Sequence, residues 1–272
     1  MKRISFIGAG RMAEAIISGI IRSGTALPGD ISISDRDGKR LTEMGSKYGA
    51  NIVHGNVKAV EVSDIIILAV KPQVKPAVLK EISGADLSGK MFISIAAGIS
   101  IAFLEKELGE APVVRVMPNN PCLVGKGMSV LSKGKYASDD DMRTAEKIFS
   151  SLGETMVLEE ELLDAVTGLS GSGPAFVYSA IQGMIKGGEH CGITHADSKR
   201  LAIQTFLGAV HTISETGKSA SELMDMVASP GGTTVEGLKV LREYKFEEAM
   251  QKAVVAAAER AAEIRRENDS KK

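Results

Sequence analysis

The stretch from Ile4 to Asp35 constrains this chain most, because it joins an apolar strand, a glycine-rich turn and an apolar helix. Strand residues Ile4–Ile7 lead into Gly8-Ala9-Gly10-Arg11-Met12-Ala13. In a G-x-G-x-x-A turn the first glycine makes the bend, the second admits a pyrophosphate to the backbone, and the small third residue packs helix on strand. The helix N-terminus adds unpaired N–H groups and a positive dipole end. An acidic residue, Asp35, ends the second strand about twenty residues further on, so the stretch predicts a dinucleotide site.

Strands and helices continue to alternate after Asp35, which favours a parallel sheet covered on both faces. The expected strands are Ile65–Val70, Phe92–Ile95, Val113–Val116, Met128–Leu131 and Thr155–Leu158, and the expected helices include Lys39–Tyr48, Val74–Ile82 and Ile101–Leu108. The pattern predicts an α/β fold in which residues 1–158 form a Rossmann doubly wound sheet that binds a dinucleotide.

The strand pattern stops at about Glu159, and residues 159–272 are expected to form an all-α dimerisation and substrate domain. One helical face carries Ala202, Phe206, Ala209, Val210 and Ile213, and another carries Met250, Val254, Ala257, Ala258 and Ala261. Helices rich in Ala and Gly bury little apolar area per residue, so we expect a second subunit to complete the bundle. The charged tail Glu263–Lys272 is expected to be a solvated, fraying helix end.

Charge and cysteine content exclude several classes of protein. The 33 Lys and Arg nearly balance the 34 Asp and Glu, so we expect no nucleic-acid partner. Cys122 and Cys191 are too few for a disulfide framework and lack metal-ligand spacing, so no metal is expected. The longest apolar run, Ile65–Val70, is too short to span a membrane, and the N-terminus enters the first strand at once. These features predict a cytoplasmic protein.

Loops that leave the carboxyl ends of the strands are the expected place for chemistry in such a sheet. Lys71, after the strand at Ile65–Val70, could approach the cofactor or a substrate carboxylate, or could simply be solvated. Ala97 follows the next strand, where the lack of bulk leaves space for a flat ring. Asn119 lies in Met117–Pro121, which could be a polar binding loop or only a rigid turn.

Two glycine-rich stretches mark the helical half. Gly168–Ala175 has three glycines in a helical pattern, and each glycine destabilises a helix by about 1 kcal/mol relative to alanine. We therefore expect another group to approach this backbone closely, either a neighbouring helix or the nicotinamide end of a cofactor. Ser229-Pro230-Gly231-Gly232-Thr233-Thr234 feeds a rigid turn into a helix N-terminus. An ordinary N-cap needs one hydroxyl, whereas paired glycines with three hydroxyls predict a carboxylate cradle made of N–H groups and side-chain oxygens.

These segments occur in the order and spacing typical of Δ1-pyrroline-5-carboxylate reductases, a family that nearly the whole chain resembles. The segments are Ile4–Ala13, Ala69–Pro72, Ser94–Gly98, Met117–Pro121, Leu169–Ala175 and Ser229–Thr234, with Asn120 at a position where Thr is common. The resemblance implies reduction of the cyclic imine to L-proline with NADP(H) or NAD(H), the final step of proline synthesis. It also implies a homodimer at least, and in many members decamers built from dimers.

The resemblance also implies residue roles. Ser229, Gly232 and Thr233 would hold the substrate carboxylate, and Thr234 would be the catalytic hydroxyl that faces the imine nitrogen. The expected cofactor-binding residues are Gly8, Gly10, Arg11, Met12, Asp35, Arg36, Asn56, Ala69, Val70, Lys71, Pro72, Ala97 and Asn119. A protonated imine is already electrophilic, so no histidine is needed as an acid.

Two other functions fit parts of the pattern. Hydroxyacid dehydrogenases of the 3-hydroxyisobutyrate or 6-phosphogluconate type share the spacing of Gly168, Gly171 and Gly173, but their catalytic lysine and asparagine positions are Val177 and Ile181 here. A nucleotide-binding sensor would not need the Ser229–Thr234 turn. The cofactor stays open, since Asp35 suits the ribose hydroxyl of NAD and Arg36 suits the 2′-phosphate of NADP.

Overall fold

The computed structural model describes residues 2–270, which cluster into two compact units. The first unit comprises the chain up to Ser172 and again from Ala256, and the second is Gly173–Val255. The domain boundary between residues 158 and 159 stays a prediction.

An eight-stranded sheet forms the centre of the first unit. Its strands are β1 (Ile4–Ile7), β2 (Ile31–Ser34), β3 (Asn51–Ile52), β4 (Ile65–Leu68), β5 (Met91–Ser94), β6 (Val113–Met117), β7 (Gly127–Lys133) and β8 (Gly153–Val157). The order is β3-β2-β1-β4-β5-β6-β7-β8, and every neighbouring pair is parallel except β6 with β7. The α/β fold class is confirmed, and the strand order reverses between β1 and β4, where such sheets bind ligands.

Helices cover both faces of this sheet. They are α1 (Arg11–Arg22), α2 (Gly38–Tyr48), α3 (Asn56–Glu61), α4 (Lys75–Ile82), α5 (Ile101–Leu108), α6 (Asp139–Ser150) and the single turn α7 (Leu163–Val166). Short 3₁₀ turns lie at Pro28–Asp30, Pro72–Val74, Asn120–Val124 and Glu160–Leu162, and a π-helical turn lies at Thr167–Gly171. One core packs around Phe6 and Phe149 and the other around Ile66 and Phe92, because the strands bury apolar residues on both faces.

The second unit is helical throughout its regular structure. It contains α8 (Gly173–His190), α9 (His195–Thr216), α10 (Ala220–Val227) and α11 (Thr233–Glu243), and α12 (Phe246–Asp269) begins in it. Its apolar side chains are largely exposed, among them Leu201, Leu207 and Val210. Within residues 2–270, no helix is both long enough and apolar enough to cross a membrane.

The end of α12 corrects one expectation from the sequence. The tail from Glu263 was expected to fray in solvent, but Asn268 is 6% exposed and its Nδ2 donates to the Gly98 carbonyl at 2.9 Å. The fraying prediction is wrong at this helix end, because Asn268 and Asp269 bond to partners 170 and 169 positions earlier in the chain. Lys271 and Lys272 lie outside the described residues.

Candidate functional site

A cavity of about 280 Å³ lies at the carboxyl ends of β1, β2 and β4. Eight of the predicted cofactor-binding residues line it, namely Gly8, Gly10, Asp35, Arg36, Asn56, Ala69, Val70 and Lys71. Four residues that sequence reasoning did not select line it too: Ile7, Ser34, Val74 and Val78. The cavity therefore occupies the position where the strand order reverses.

Gly8 makes the bend at the floor of this cavity. Its φ is +106°, and its N–H donates to the Ser34 carbonyl at 2.8 Å. A Cβ at this position would lie 2.8 Å from the carbonyl carbon and oxygen of Ala69. Only glycine fits, so strand β4 can approach the turn directly.

Gly10 and the first turn of α1 have the geometry of a phosphate site. A Cβ built on Gly10 meets no heavy atom within 4 Å, and no side chain caps the helix at this residue. Ala13 is buried and lets α1 pack closely on the sheet. The uncapped N–H groups and the space above Gly10 fit the pyrophosphate of a dinucleotide.

The side chain of Asp35 points at the glycine turn. Its Oδ2 accepts from the Ala9 N–H at 2.6 Å, and its Oδ1 accepts from the Asp37 N–H at 2.9 Å. Arg36 lines the same cavity with an exposed side chain. The Asp35 carboxylate, which was expected to bind a ribose hydroxyl, thus bonds to backbone N–H groups. The Arg36 side chain is exposed to solvent at the cavity.

Asn56 is held in place by Ser34 and Glu81, neither of which was predicted from the sequence. The Ser34 Oγ donates to its Oδ1 at 3.0 Å, and its Nδ2 donates to Glu81 Oε2 at 2.8 Å. Both neighbours fix the amide orientation at the rim of the cavity. No local motif marks Glu81, which reaches Asn56 from α4.

A network of hydrogen bonds and ion pairs that was not predicted from the sequence stabilises the glycine turn. Arg40 Nε donates to the Ala9 carbonyl at 2.9 Å, and Arg40 also pairs with Glu14. Lys47 bonds to Glu14 at 2.8 Å, and this bond, followed by those from Arg40 and Tyr48, lowers the pKa of Glu14 to about 2. The network ties α2 to the first turn of α1.

The remaining predicted cofactor residues, Arg11, Met12, Pro72, Ala97 and Asn119, are not among the residues that line the cavity. Asn119 Nδ2 contacts the Ser170 carbonyl at 3.3 Å, and its Oδ1 accepts from the Met128 N–H at 2.9 Å. A Cβ on Gly171 would lie 2.8 Å from Met117 Cε. Within the first unit, the last residue of β6 and the loop that follows it therefore approach this stretch at Ser170 and Gly171.

A buried basic cluster lies under the ends of β5 and β6. Lys75 and Arg115 are 0% and 1% exposed, Lys75 Nζ donates to Ser94 Oγ at 2.5 Å, and Arg115 pairs with Glu160 at 2.8 Å. Burial, reinforced by the positive charge of Arg115, lowers the pKa of Lys75 to about 7. The apolar periodicity of α4 gave no sign that a lysine would be buried.

The predicted substrate residues form an exposed turn in the second unit. Gly231 has φ +71°, the Gly232 N–H donates to the Ser229 carbonyl at 2.9 Å, and α11 begins at Thr233. A Cβ on Gly232 would lie 2.9 Å from the Ser229 carbonyl oxygen. No side chain caps this helix at Gly232, so its first N–H groups remain available to an anion.

An apolar groove of about 730 Å³ lies elsewhere on the second unit. Phe176, Met184, Phe206, Phe246 and Met250 are among the residues that line it. Among residues 2–270, no group of three or more His, Cys, Asp or Glu side chains is placed to hold a metal ion.

The fold and the cavity define a Rossmann protein with a dinucleotide site, and its match to a family model of NADP oxidoreductases confirms the predicted enzyme and cofactor classes. The family model described as "NADP oxidoreductase coenzyme F420-dependent" matches residues 3–98, and the model for pyrroline-5-carboxylate reductase dimerisation matches residues 160–264. The chain belongs to the pyrroline-5-carboxylate reductase family, so the predicted resemblance is confirmed.

Relatives from distant organisms match over nearly the whole chain. The pyrroline-5-carboxylate reductase of Methanosarcina acetivorans is 42% identical over 97% of this chain and 98% of its own, and that of Arabidopsis thaliana is 38% identical over 96% and 95%. The solved structure of Plasmodium falciparum pyrroline carboxylate reductase with NADP bound has a TM-score of 0.90 and 32% identity, covering 97% of this chain and 98% of that one.

Proposed function

We propose that this protein reduces 1-pyrroline-5-carboxylate to L-proline with NADPH, the final step of proline biosynthesis. The observation that carries the proposal is the Ser229–Thr234 turn, whose uncapped helix N-terminus suits a carboxylate, in a chain that also has a dinucleotide cavity. A reductase of a cyclic imino acid needs both features.

The cofactor residues divide by their place in the first unit. Gly10, Arg11 and Met12 lie at the start of α1 and would bind the pyrophosphate through backbone N–H groups. Gly8, whose N–H donates to the Ser34 carbonyl, would make the bend that admits the pyrophosphate. Asp35, Arg36 and Asn56 would bind the adenosine end. The assignment of Ala69, Val70, Lys71, Pro72, Ala97 and Asn119 to the rest of the cofactor rests on the family resemblance. A bound reduced nicotinamide dinucleotide supplies the hydride.

The substrate residues have roles that their chemistry can support. The Thr233 N–H and the Ser229 hydroxyl would bind the carboxylate, since an anion at a helix N-terminus is favoured by the dipole. Gly232, whose own N–H donates to the Ser229 carbonyl, would close the turn beside the carboxylate. The Thr234 hydroxyl would hydrogen-bond to the imine nitrogen and fix the ring for hydride addition at C5. The protonated imine carries its own proton, so the site needs orientation more than a strong acid.

A purified protein assay tests this function directly. We expect NADPH oxidation to depend on pyrroline-5-carboxylate and to yield proline by chromatography. Neither 3-hydroxyisobutyrate nor 6-phosphogluconate should reduce NADP⁺, because the lysine that those oxidations need is Val177 here. Cofactor binding without turnover on any of these compounds would support a sensor instead.

The assembly and the location complete the proposal. The chain belongs to an oligomeric family, and the apolar groove at Phe176 and Phe206 would receive helices of a second copy to give a homodimer. Assembly of dimers into a decamer follows the family resemblance. The unpaired thiols of Cys122 and Cys191 suit the cytoplasm. No nucleic-acid or membrane partner is proposed.

A further inference from the structure

The last turns of α12 pack on the loop that follows β5, both within the first unit. Gly98 has φ +70°, and a Cβ there would lie 2.5 Å from Ile264 Cγ2. Asn268 is buried and its Nδ2 donates to the Gly98 carbonyl at 2.9 Å. The loop thus lacks a side chain at the point where the helix touches it, and its carbonyl is bonded there.

Two further bonds hold the same helix end. The Ser100 hydroxyl donates to Asp269 Oδ1 at 2.8 Å and accepts from the Phe103 N–H at 3.0 Å, so the N-cap of α5 is tied to α12. Arg265 Nε donates to Asp164 Oδ2 at 2.8 Å, and the Asp164 side chain is 10% exposed. Arg265, Asn268 and Asp269 thus each bond to another part of the first unit, so this helix end is anchored, whereas exposed helix ends ordinarily fray.

We propose that Asn268 is a positioning residue for cofactor binding, because it fixes the peptide after Gly98 and thereby the conformation of Ala97. This inference rests on the proposed function, which places Ala97 against the cofactor. Glycine loses more conformational freedom on ordering than any other residue, so a loop centred on Gly98 needs an outside bond to keep one conformation. Asn268 supplies the donor from the far end of the chain.

Asn268→Asp is the sharpest test, because it keeps the shape of the side chain and replaces the donor with an acceptor facing the Gly98 carbonyl. We expect hydrogen exchange of the amides in residues 97–101 to be about five- to tenfold faster in the cofactor-free protein. The Kd for NADPH should rise about five- to tenfold, whereas the Kd for adenosine 2′,5′-bisphosphate, which has no nicotinamide, should stay unchanged. Asp269→Ala should produce a smaller change of the same kind, since its partner Ser100 lies further along the loop.

Arg266→Ala is the matched control, because Arg266 lies on the same helix turn with an exposed side chain. It should change neither the exchange rates nor either Kd. Equal loss of affinity for NADPH and the bisphosphate in Asn268→Asp would indicate a general structural role and overturn the inference, as would unchanged exchange in the loop. These readings need no substrate, so the inference can fail while the wild-type protein still makes proline, and it can hold if the substrate proves different.

Discussion

The carboxylate of Asp35 accepts a hydrogen bond from the backbone N–H of Ala9 at 2.6 Å. This bond joins the end of β2 to the middle of the glycine turn and holds the acidic side chain, which lines the cavity, against the backbone. An acidic residue here usually selects NAD by binding the ribose hydroxyls and repelling a 2′-phosphate. With both oxygens bonded to backbone N–H groups, that repulsion is weakened, and Arg36 beside it can bind the phosphate.

Arg36→Ala should therefore shift cofactor preference. We expect the KM for NADPH to rise about ten- to a hundredfold, which corresponds to the loss of one charge-assisted phosphate contact, while the KM for NADH stays nearly constant. Lys80→Ala, which removes an exposed positive charge from α4, is the control. Parallel loss with both cofactors would show that Arg36 does not read the phosphate.

Removal of the Thr234 hydroxyl should affect turnover more than binding. Thr234→Ala is expected to lower kcat about ten- to a hundredfold, the scale of one lost transition-state hydrogen bond, while the Kd for NADPH is unchanged. Thr234→Ser keeps the hydroxyl and should recover most of the rate. A full rate at saturating substrate in the alanine variant would remove Thr234 from the mechanism.

The exposed apolar face of α9 should be an interface between copies of this chain. Val210 is 59% exposed, and Leu207, three residues earlier on the same face of the helix, is 50% exposed. Val210→Asp should convert the oligomer to smaller species in sedimentation at micromolar concentration, because a charge would have to be buried unpaired. Ala77→Asp, at an exposed position of α4, should leave the assembly intact. A wild-type protein that sediments as a monomer would refute the interface outright.

Burial of Lys75 makes stability depend on pH. Its folded pKa of about 7 lies below the ordinary 10.5, so between these values the unfolded chain binds the extra proton and the free energy of unfolding rises with pH. The slope from this group approaches about 1.4 kcal/mol per pH unit within that window. The cost of the buried charge is therefore greatest below pH 7.

Lys75→Met should remove this cost. We expect the variant to be more stable than the wild type at pH 6, with the advantage shrinking towards pH 10, when both are unfolded by urea. Lys80→Met, on the exposed side of the same helix, should show no such trend. A stability difference that is constant from pH 6 to pH 10 would contradict the shifted pKa of Lys75.

Local sequence patterns were sufficient for much of the fold. Strand β1 and helix α5 lie at the predicted bounds, because β1 is mostly apolar and α5 follows a Ser100 cap. Helix α6 was missed, although its capping box at Ser138 and Asp141 and the acidic residues of its first turn were readable signals. The antiparallel direction of β7 relative to β6 could not be predicted, because the composition of β7 is similar to that of the parallel strands.

Site residues could be predicted from the sequence where a local backbone conformation requires them. They could not be predicted where the role depends on contact with a residue far away in the chain. Gly8 and Gly10 were found because they belong to one local motif, and at Gly8 only glycine permits the bend. The inward turn of Asp35 depends on the position of the Ala9 N–H, and the burial of Asn268 depends on a carbonyl 170 residues away. No periodicity or spacing encodes such pairings.

The most direct measurement is isotope transfer from the cofactor. NADPH deuterated at C4 of the nicotinamide is incubated with pyrroline-5-carboxylate and the wild-type protein, and the product is analysed by mass spectrometry and NMR. We predict L-proline with one deuterium at C5, transferred from one face of the nicotinamide only. Failure to form proline, or proline without the label, would contradict hydride transfer from a cofactor bound in the first unit.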